Sequence, residues 1–150
     1  MSQRIQDITE QYLENDGNIP WIIGFSGGKD STVVLTLVWR ALLAIRATLG
    51  SESLKRAVFV VNNDTLVENP IISDYIIEVL DCIKTAAVKQ DLPITVQITT
   101  PKLEDSFWIS FLGKGYPVPN NQFRWCTDRL KIKPSSQFIL DKIDAMGEAI

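Results

Sequence analysis

Trp21-Ile-Ile-Gly-Phe-Ser-Gly-Gly-Lys-Asp-Ser31 is the stretch on which the fold turns. Trp21 to Phe25 is a short apolar run without alternation, the pattern of a strand buried on both faces. Ser31 to Ala47 is apolar at helical spacing and predicts a long helix with Val34, Leu35, Val38, Leu42 and Ile45 inward. Ser26 to Asp30 joins them as a Gly-rich turn. A strand, a tight turn and a helix in that order form the opening half of a βαβ unit.

The same alternation continues outward. Residues 2–14 suit an amphipathic helix, with Ile5, Ile8, Tyr12 and Leu13 on or near one face, and Asn15-Asp-Gly-Asn18 ends it with turn chemistry. Ala57–Val61 predicts a second buried strand, with Asn62-Asn-Asp-Thr65 at its carboxyl end. Pro70–Lys89 predicts a helix with Pro70 in its first turn. Pro93–Ile98 predicts a third strand, Leu103–Leu112 a short helix, Gly113–Phe123 a loop, and Ser135–Ala145 a last helix that Gly147 can cap. The order αβαβαβαα predicts an α/β fold: an open parallel sheet with helices on both faces. Glu148-Ala-Ile150 falls where the alternation asks for another strand, so the sequence reads as the N-terminal part of a longer protein.

At 150 residues the chain makes one domain, and 45% hydrophobic against 22% charged residues supports a core. No unbroken apolar run reaches the roughly 18 residues of a membrane span, and Met1–Ile8 lacks a signal-peptide pattern. A cytoplasmic protein with no membrane partner is the expectation. The net charge of −3 gives no bulk attraction to nucleic acid, so any such contact is local or supplied by a partner. Two cysteines make no disulfide framework, and the absence of histidine excludes histidine-based catalysis and histidine-bearing zinc sites within these residues.

The turn carries phosphate chemistry. Gly27 and Gly28 let the backbone bend and present N–H groups, which with the helix N-terminus form an anion site. Lys29 adds a cation, and Ser26 and Ser31 add hydroxyls; Ser31 can also cap the helix. Asp30 beside an anion makes sense if Mg²⁺ bridges it to the phosphates. Two commoner motifs fail. Three residues rather than four separate Gly24 from Gly28, and Asp30 rather than Ser or Thr follows Lys29, so this is not a Walker loop; G-x-G-x-x-G is absent.

A second signal is Arg124-Trp-Cys-Thr-Asp-Arg-Leu-Lys-Ile-Lys-Pro134. Arg124, Arg129, Lys131 and Lys133 surround Cys126 in sequence, a setting that favours thiolate and suits sulfate, phosphate or a nucleic-acid backbone. Lys114 and Tyr116 lie in a Gly-bordered loop that could close over a substrate. Cys82 reads as core, Trp125 as packing or as a stacking platform, and Glu104-Asp105 as the favourable start of a helix or as a metal pair.

Ser26-Gly-Gly-Lys-Asp-Ser31 resembles the PP-loop of the ATP pyrophosphatase superfamily. The resemblance implies an adenine nucleotide alpha hydrolase-like, Rossmann-like fold, ATP held through its pyrophosphate, an adenylylated intermediate and released pyrophosphate. Arg-x-Cys-x-x-x-Leu-Lys-x-x-Pro over 124–134, with Asp64-Thr65, resembles the phosphoadenylylsulfate reductase family. That family places a Glu seven residues after the Asp, whereas Glu68 follows Asp64 at four.

Asp64-Thr-Leu-Val-Glu-Asn-Pro70, Gly113-Lys-Gly-Tyr-Pro117 and Phe123-Arg-Trp-Cys-Thr127, taken with the loop, resemble the sulfurtransferases of DNA phosphorothioation over nearly the whole chain. This implies that ATP activates a DNA backbone phosphate for replacement of an oxygen by sulfur, with a cysteine desulfurase as sulfur donor and other phosphorothioation proteins as partners. It implies Lys29, Asp30 and Cys126 as catalytic residues, with Mg²⁺ at Asp30. It implies Ser26 to Ser31 with Asp64 and Thr65 at the nucleotide, and Lys114, Arg124, Arg129, Lys131 and Lys133 at the substrate. It also implies a [4Fe–4S] cluster with Cys126 as its one ligand in these residues. A reductase or ATP sulfurylase subunit of sulfate assimilation, and a module that binds ATP without turnover, are the alternatives.

Overall fold

The computed structural model describes residues 3–14 and 19–146. The predicted turn at 15–18, the capping Gly147 and the strand expected after it lie outside the described residues. Three strands, β1 (Trp21–Gly24), β2 (Val58–Asn63) and β3 (Ile94–Thr99), form one parallel sheet in the order β1-β2-β3. Trp21 pairs with Val58, which pairs in turn with Ile94, so the strands run in step to one carboxyl edge. Helix α1 (Gln3–Leu13) precedes β1, α2 (Lys29–Leu49) and α3 (Pro70–Lys89) connect the strands, and α4 (Trp125–Thr127) and α5 (Lys133–Met146) follow β3. The chain is therefore a mixed α/β fold with an open parallel sheet.

Alternation along β2 sorts the layers. Val58 and Val60 share a core with Trp21 and Ile23 of β1, Leu35, Val38, Leu42 and Ile45 of α2, and Leu80 and Ala87 of α3. Phe59 points to the opposite face and meets Phe138 of α5 edge-on, ring centroids 5.9 Å apart. By length and composition alone α2 could cross a membrane; its Leu35, Val38, Ala41, Leu42 and Ile45 stripe is instead buried within this chain.

Several expectations need correction. Val34 is exposed, because the inward stripe of α2 runs through Leu35, Val38, Leu42 and Ile45. Cys82 is exposed. The inward positions of α3 are Ile76, Leu80, Ile83 and Ala87, at helical intervals that leave Cys82 on the other side. The segment predicted as a helix over 103–112 is a 3₁₀ turn at Leu103–Asp105 followed by a π-helical turn at Ile109–Gly113. The basic segment is itself helical: α4 passes through a π-helical turn, Asp128–Ile132, straight into α5.

One buried charge was not anticipated. Arg56 is 1% exposed and ties the start of the chain to the sheet. Its guanidinium donates to the carbonyls of Tyr12, Ile19 and Glu14 and lies over the rings of Tyr12 and Trp21. The Tyr12 hydroxyl donates to the Arg56 carbonyl at 2.7 Å. Burial pushes this phenol up to about 12 from 10.0, against the lowering effect of the Arg56 charge. The fold thus holds Tyr12 neutral where the unfolded chain would ionise. The stabilisation is whole below pH 10 and is lost as pH rises from about 10 to about 12. Tyr12→Phe cannot ionise, so its stability deficit against the parent is expected to shrink across that window; urea midpoints at pH 9 and pH 11.5 measure it, and a constant deficit would refute the assignment.

Candidate functional site

The glycine-rich turn leads directly into the start of α2. Gly27 adopts φ +73°, a left-handed conformation that L side chains rarely take, and a Cβ there would approach Ile76 Cγ1 to 3.3 Å. Gly28 is extended and is the N-cap of α2, without a side-chain cap. Ser31, expected to cap, instead donates its hydroxyl to the Gly28 carbonyl at 2.9 Å. The Ser26 N–H donates to Ser31 Oγ, and the two hydroxyls lie 3.3 Å apart. The helix accordingly starts at Lys29, two residues before the predicted start. The first backbone N–H groups of this 21-residue helix have no intrahelical acceptor and stand at its positive end. Lys29 and Asp30 are exposed there.

The turn opens beside a cavity of about 560 Å³ at the carboxyl edge of β1 and β2, a volume suited to a small molecule. Its polar lining includes Ser26, Asp64, Glu68 and Lys131, and its apolar walls include Ile72, Ile76 and Ile77 of α3 and Phe138 of α5. The apolar excess of α3 thereby acquires a reason: half-exposed Ile72 and Ile77 face this space. Asn62, 5% exposed, donates to the Phe25 carbonyl at 2.7 Å and so ties the end of β2 to the start of the turn. Asn63 bonds with Ser135 of α5 and accepts from Thr99 of β3. Asp64 accepts from the Leu66 N–H, and Leu66 has φ 61°, uncommon for a branched side chain. Thr65 is buried, with its hydroxyl on Glu68 at 3.1 Å. Of the predicted nucleotide residues, Ser26 and Asp64 reach the cavity, Gly27 to Ser31 form the adjoining turn and helix start, and Thr65 lies behind it, bonded to the cavity-lining Glu68.

The five predicted substrate cations do not come together. Lys131 lines the cavity. Arg129 and Lys133 turn to the other side, where both pair with Asp105; Arg129 also donates to the Tyr116 hydroxyl at 2.6 Å and lies over that ring. Burial raises the Asp105 carboxyl, yet Lys133 and Arg129 outweigh this and hold it below the ordinary 3.8. Glu104 and Asp105 do stand at the start of a helix, the short 3₁₀ turn, and the Asp105 carboxylate is taken up by Arg129 and Lys133. Arg124 is exposed ahead of α4, and Lys114 bonds to the Glu104 carbonyl. Arg129 and Lys133 are four residues apart and Lys131 lies between them, so a helical segment places the pair on one face and Lys131 on the opposite one.

Trp125 is packing: it is 7% exposed, stacks on Phe107, meets Tyr116 edge-on, and donates to the Pro117 carbonyl at 2.9 Å. Cys126 is half-buried in α4 and Cys82 is exposed on α3. Among the described residues no group of three or more His, Cys, Asp or Glu could hold a metal ion. With one cysteine in the basic segment, this chain's own residues do not fit an iron–sulfur cluster. For Mg²⁺ the available carboxylates are Asp30 at the helix start and Asp64 and Glu68 in the cavity wall.

Sequence reasoning missed Asn62, Asn63 and Ser135. A signal existed, because two Asn ending a buried strand are poor strand formers and need a polar purpose. Compared with protein-family models and with curated proteins, the chain gives no match.

Proposed function

We propose that this chain is the nucleotide-binding domain of an ATP pyrophosphatase of the PP-loop type, with the adenine nucleotide alpha hydrolase-like fold. The observation that carries the reading is a strand–turn–helix whose left-handed Gly27 and uncapped α2 N-terminus open beside a nucleotide-sized cavity. ATP lies with its phosphates on the N–H groups of the turn and on Lys29. Its apolar part meets Ile72, Ile76 and Phe138. Asp30, Asp64 and Glu68 are the residues that would hold Mg²⁺, which neutralises phosphate charge when bound.

An oxyanion acceptor held by Lys131 attacks the α-phosphorus. The new bond joins acceptor oxygen to that phosphorus, the α–β bridging P–O bond breaks, and pyrophosphate leaves with the electron pair. In the DNA phosphorothioation reading the acceptor is a backbone phosphate; a persulfide from a cysteine desulfurase then displaces AMP to leave a P–S–S link, and a thiol reductant attacks the outer sulfur, breaks the S–S bond and leaves the phosphorothioate and a disulfide. What supports that choice is the combination of motifs over 25–31, 64–70, 113–117 and 123–134.

Incubating the full-length protein with ATP, Mg²⁺ and DNA is expected to yield AMP and pyrophosphate in equal amounts. Appearance of ADP and orthophosphate instead would sink the reading. Nucleotide binding with no turnover under these conditions would make this a binding module.

A further inference from the structure

Beyond the nucleotide cavity, on the far side of α5, lies a second cavity of about 610 Å³ at the carboxyl end of β3. Three cations line it, Lys102, Arg129 and Lys133, together with the hydroxyl-bearing Thr99 and Thr100. Against them stand Asp105 and Asp141, so its lining is cationic by one charge (3 − 2) in a chain whose net charge is −3. The Asp105 carboxylate sits between two of the cations, one oxygen on Arg129 and the other on Lys133 at 3.4 Å. Arg129 is fixed further by Tyr116, whose ring it covers at 4.9 Å.

A guanidinium and an ammonium held four residues apart, with a second ammonium and hydroxyls in the same lining, offer more donors than one carboxylate can satisfy. That excess suits a tetrahedral oxyanion, which accepts from several directions at once.

We propose that this second cavity binds a phosphate group, and that Asp105 occupies the cation pair until the phosphate displaces it. The proposal rests on the function above only in one respect: if the acceptor is a nucleic-acid backbone, the phosphate gripped here neighbours the one presented by Lys131. The shared chemistry is a phosphate oxyanion, and its source is either inorganic phosphate or a phosphodiester chain. Asp105 is in this view a competitor for the site rather than a support for it.

The test is a titration of the full chain with inorganic phosphate and, separately, with a single-stranded DNA octamer, by calorimetry at low salt. Asp105→Asn removes the competing charge and is expected to tighten binding of one or both probes by about tenfold, while Lys133→Gln weakens it by a similar factor. Tightening for the octamer alone identifies a backbone; tightening for both identifies free phosphate as sufficient. A structural ion pair predicts the reverse, since Asp105→Asn would then lower the melting temperature without raising affinity, and that result overturns the proposal. If Asp105→Asn does not fold, Lys133→Gln decides: Lys133 is half-exposed, and unchanged affinity for both probes in that variant overturns the proposal equally. Lys131→Gln separates the two readings, because it alters the nucleotide cavity and is expected to leave phosphate binding in the second cavity intact. Absence of AMP formation by the parent protein, with phosphate binding retained in both parent and Lys131→Gln, would remove the proposed function and leave this site standing.

Discussion

Lys29→Ala is expected to weaken binding of ATP with Mg²⁺ by roughly tenfold to 150-fold, since a charge-assisted phosphate contact contributes about 1.5–3 kcal/mol. Lys29 is exposed at the first position of α2 and, among the described residues, makes no salt bridge or side-chain hydrogen bond. Its removal should therefore leave the melting temperature alone, so that any loss is a loss of ligand contact. Calorimetry with ATP and Mg²⁺ measures it. Equal affinity in parent and variant would falsify placement of the phosphates at this helix start. The backbone N–H groups remain in the variant, so binding should weaken rather than vanish.

Arg56→Ala is expected to produce the largest loss of stability of any single change in the chain. Three carbonyls, of Tyr12, Glu14 and Ile19, would lose their donor in a place that is 1% exposed. At roughly 1–3 kcal/mol for each acceptor left unsatisfied, the sum is about 3 kcal/mol or more. Two aromatic rings would also lose the cation they face. Folded domains have only about 5–15 kcal/mol in hand, so the variant should be partly unfolded near 37 °C. Arg56→Lys keeps the charge but not the fork of donors and should recover less than half of the loss. Chemical denaturation of the three proteins checks the order, and a variant within about 0.5 kcal/mol of the parent would show that water replaces the guanidinium without cost.

Much of the fold is legible because each strand is a continuous apolar run and α2 carries an apolar stripe. The predicted Pro70–Lys89 helix is the observed α3, and the predicted strands differ from β1, β2 and β3 by a residue or two at their ends. Cys82 was misplaced because α3 is apolar nearly all round: Ile71, Ile77 and Val88 are exposed, so no single stripe stood out. The helix over 125–134 was hidden by Pro134, which has no N–H to give and reads as a stop. The chain meets it with a widened π-helical turn over Asp128–Ile132 and carries on into α5.

The candidate site divides along the same line. The phosphate turn is local in sequence, so its glycines, Lys29 and hydroxyls could be read directly. The split of the basic segment could not, because Asp105 lies 24 residues from Arg129 and no spacing announces that pair. Arg56 was silent for the same reason: its partners are carbonyls 37 to 44 residues away, and carbonyls have no residue type.

Phe138 has one further consequence. The same ring stands in the lining of the cavity beside the glycine-rich turn and of the cationic one, braced by Phe59 from the sheet and by Lys142, whose ammonium lies 4.4 Å from the Phe59 centroid and 5.4 Å from its own. α5 is a party wall. A guest that pushes the wall one way takes room from the neighbour, and one that pulls it gives room back. Reciprocity then leaves no freedom: whatever factor the first occupant imposes on the second, the second imposes on the first.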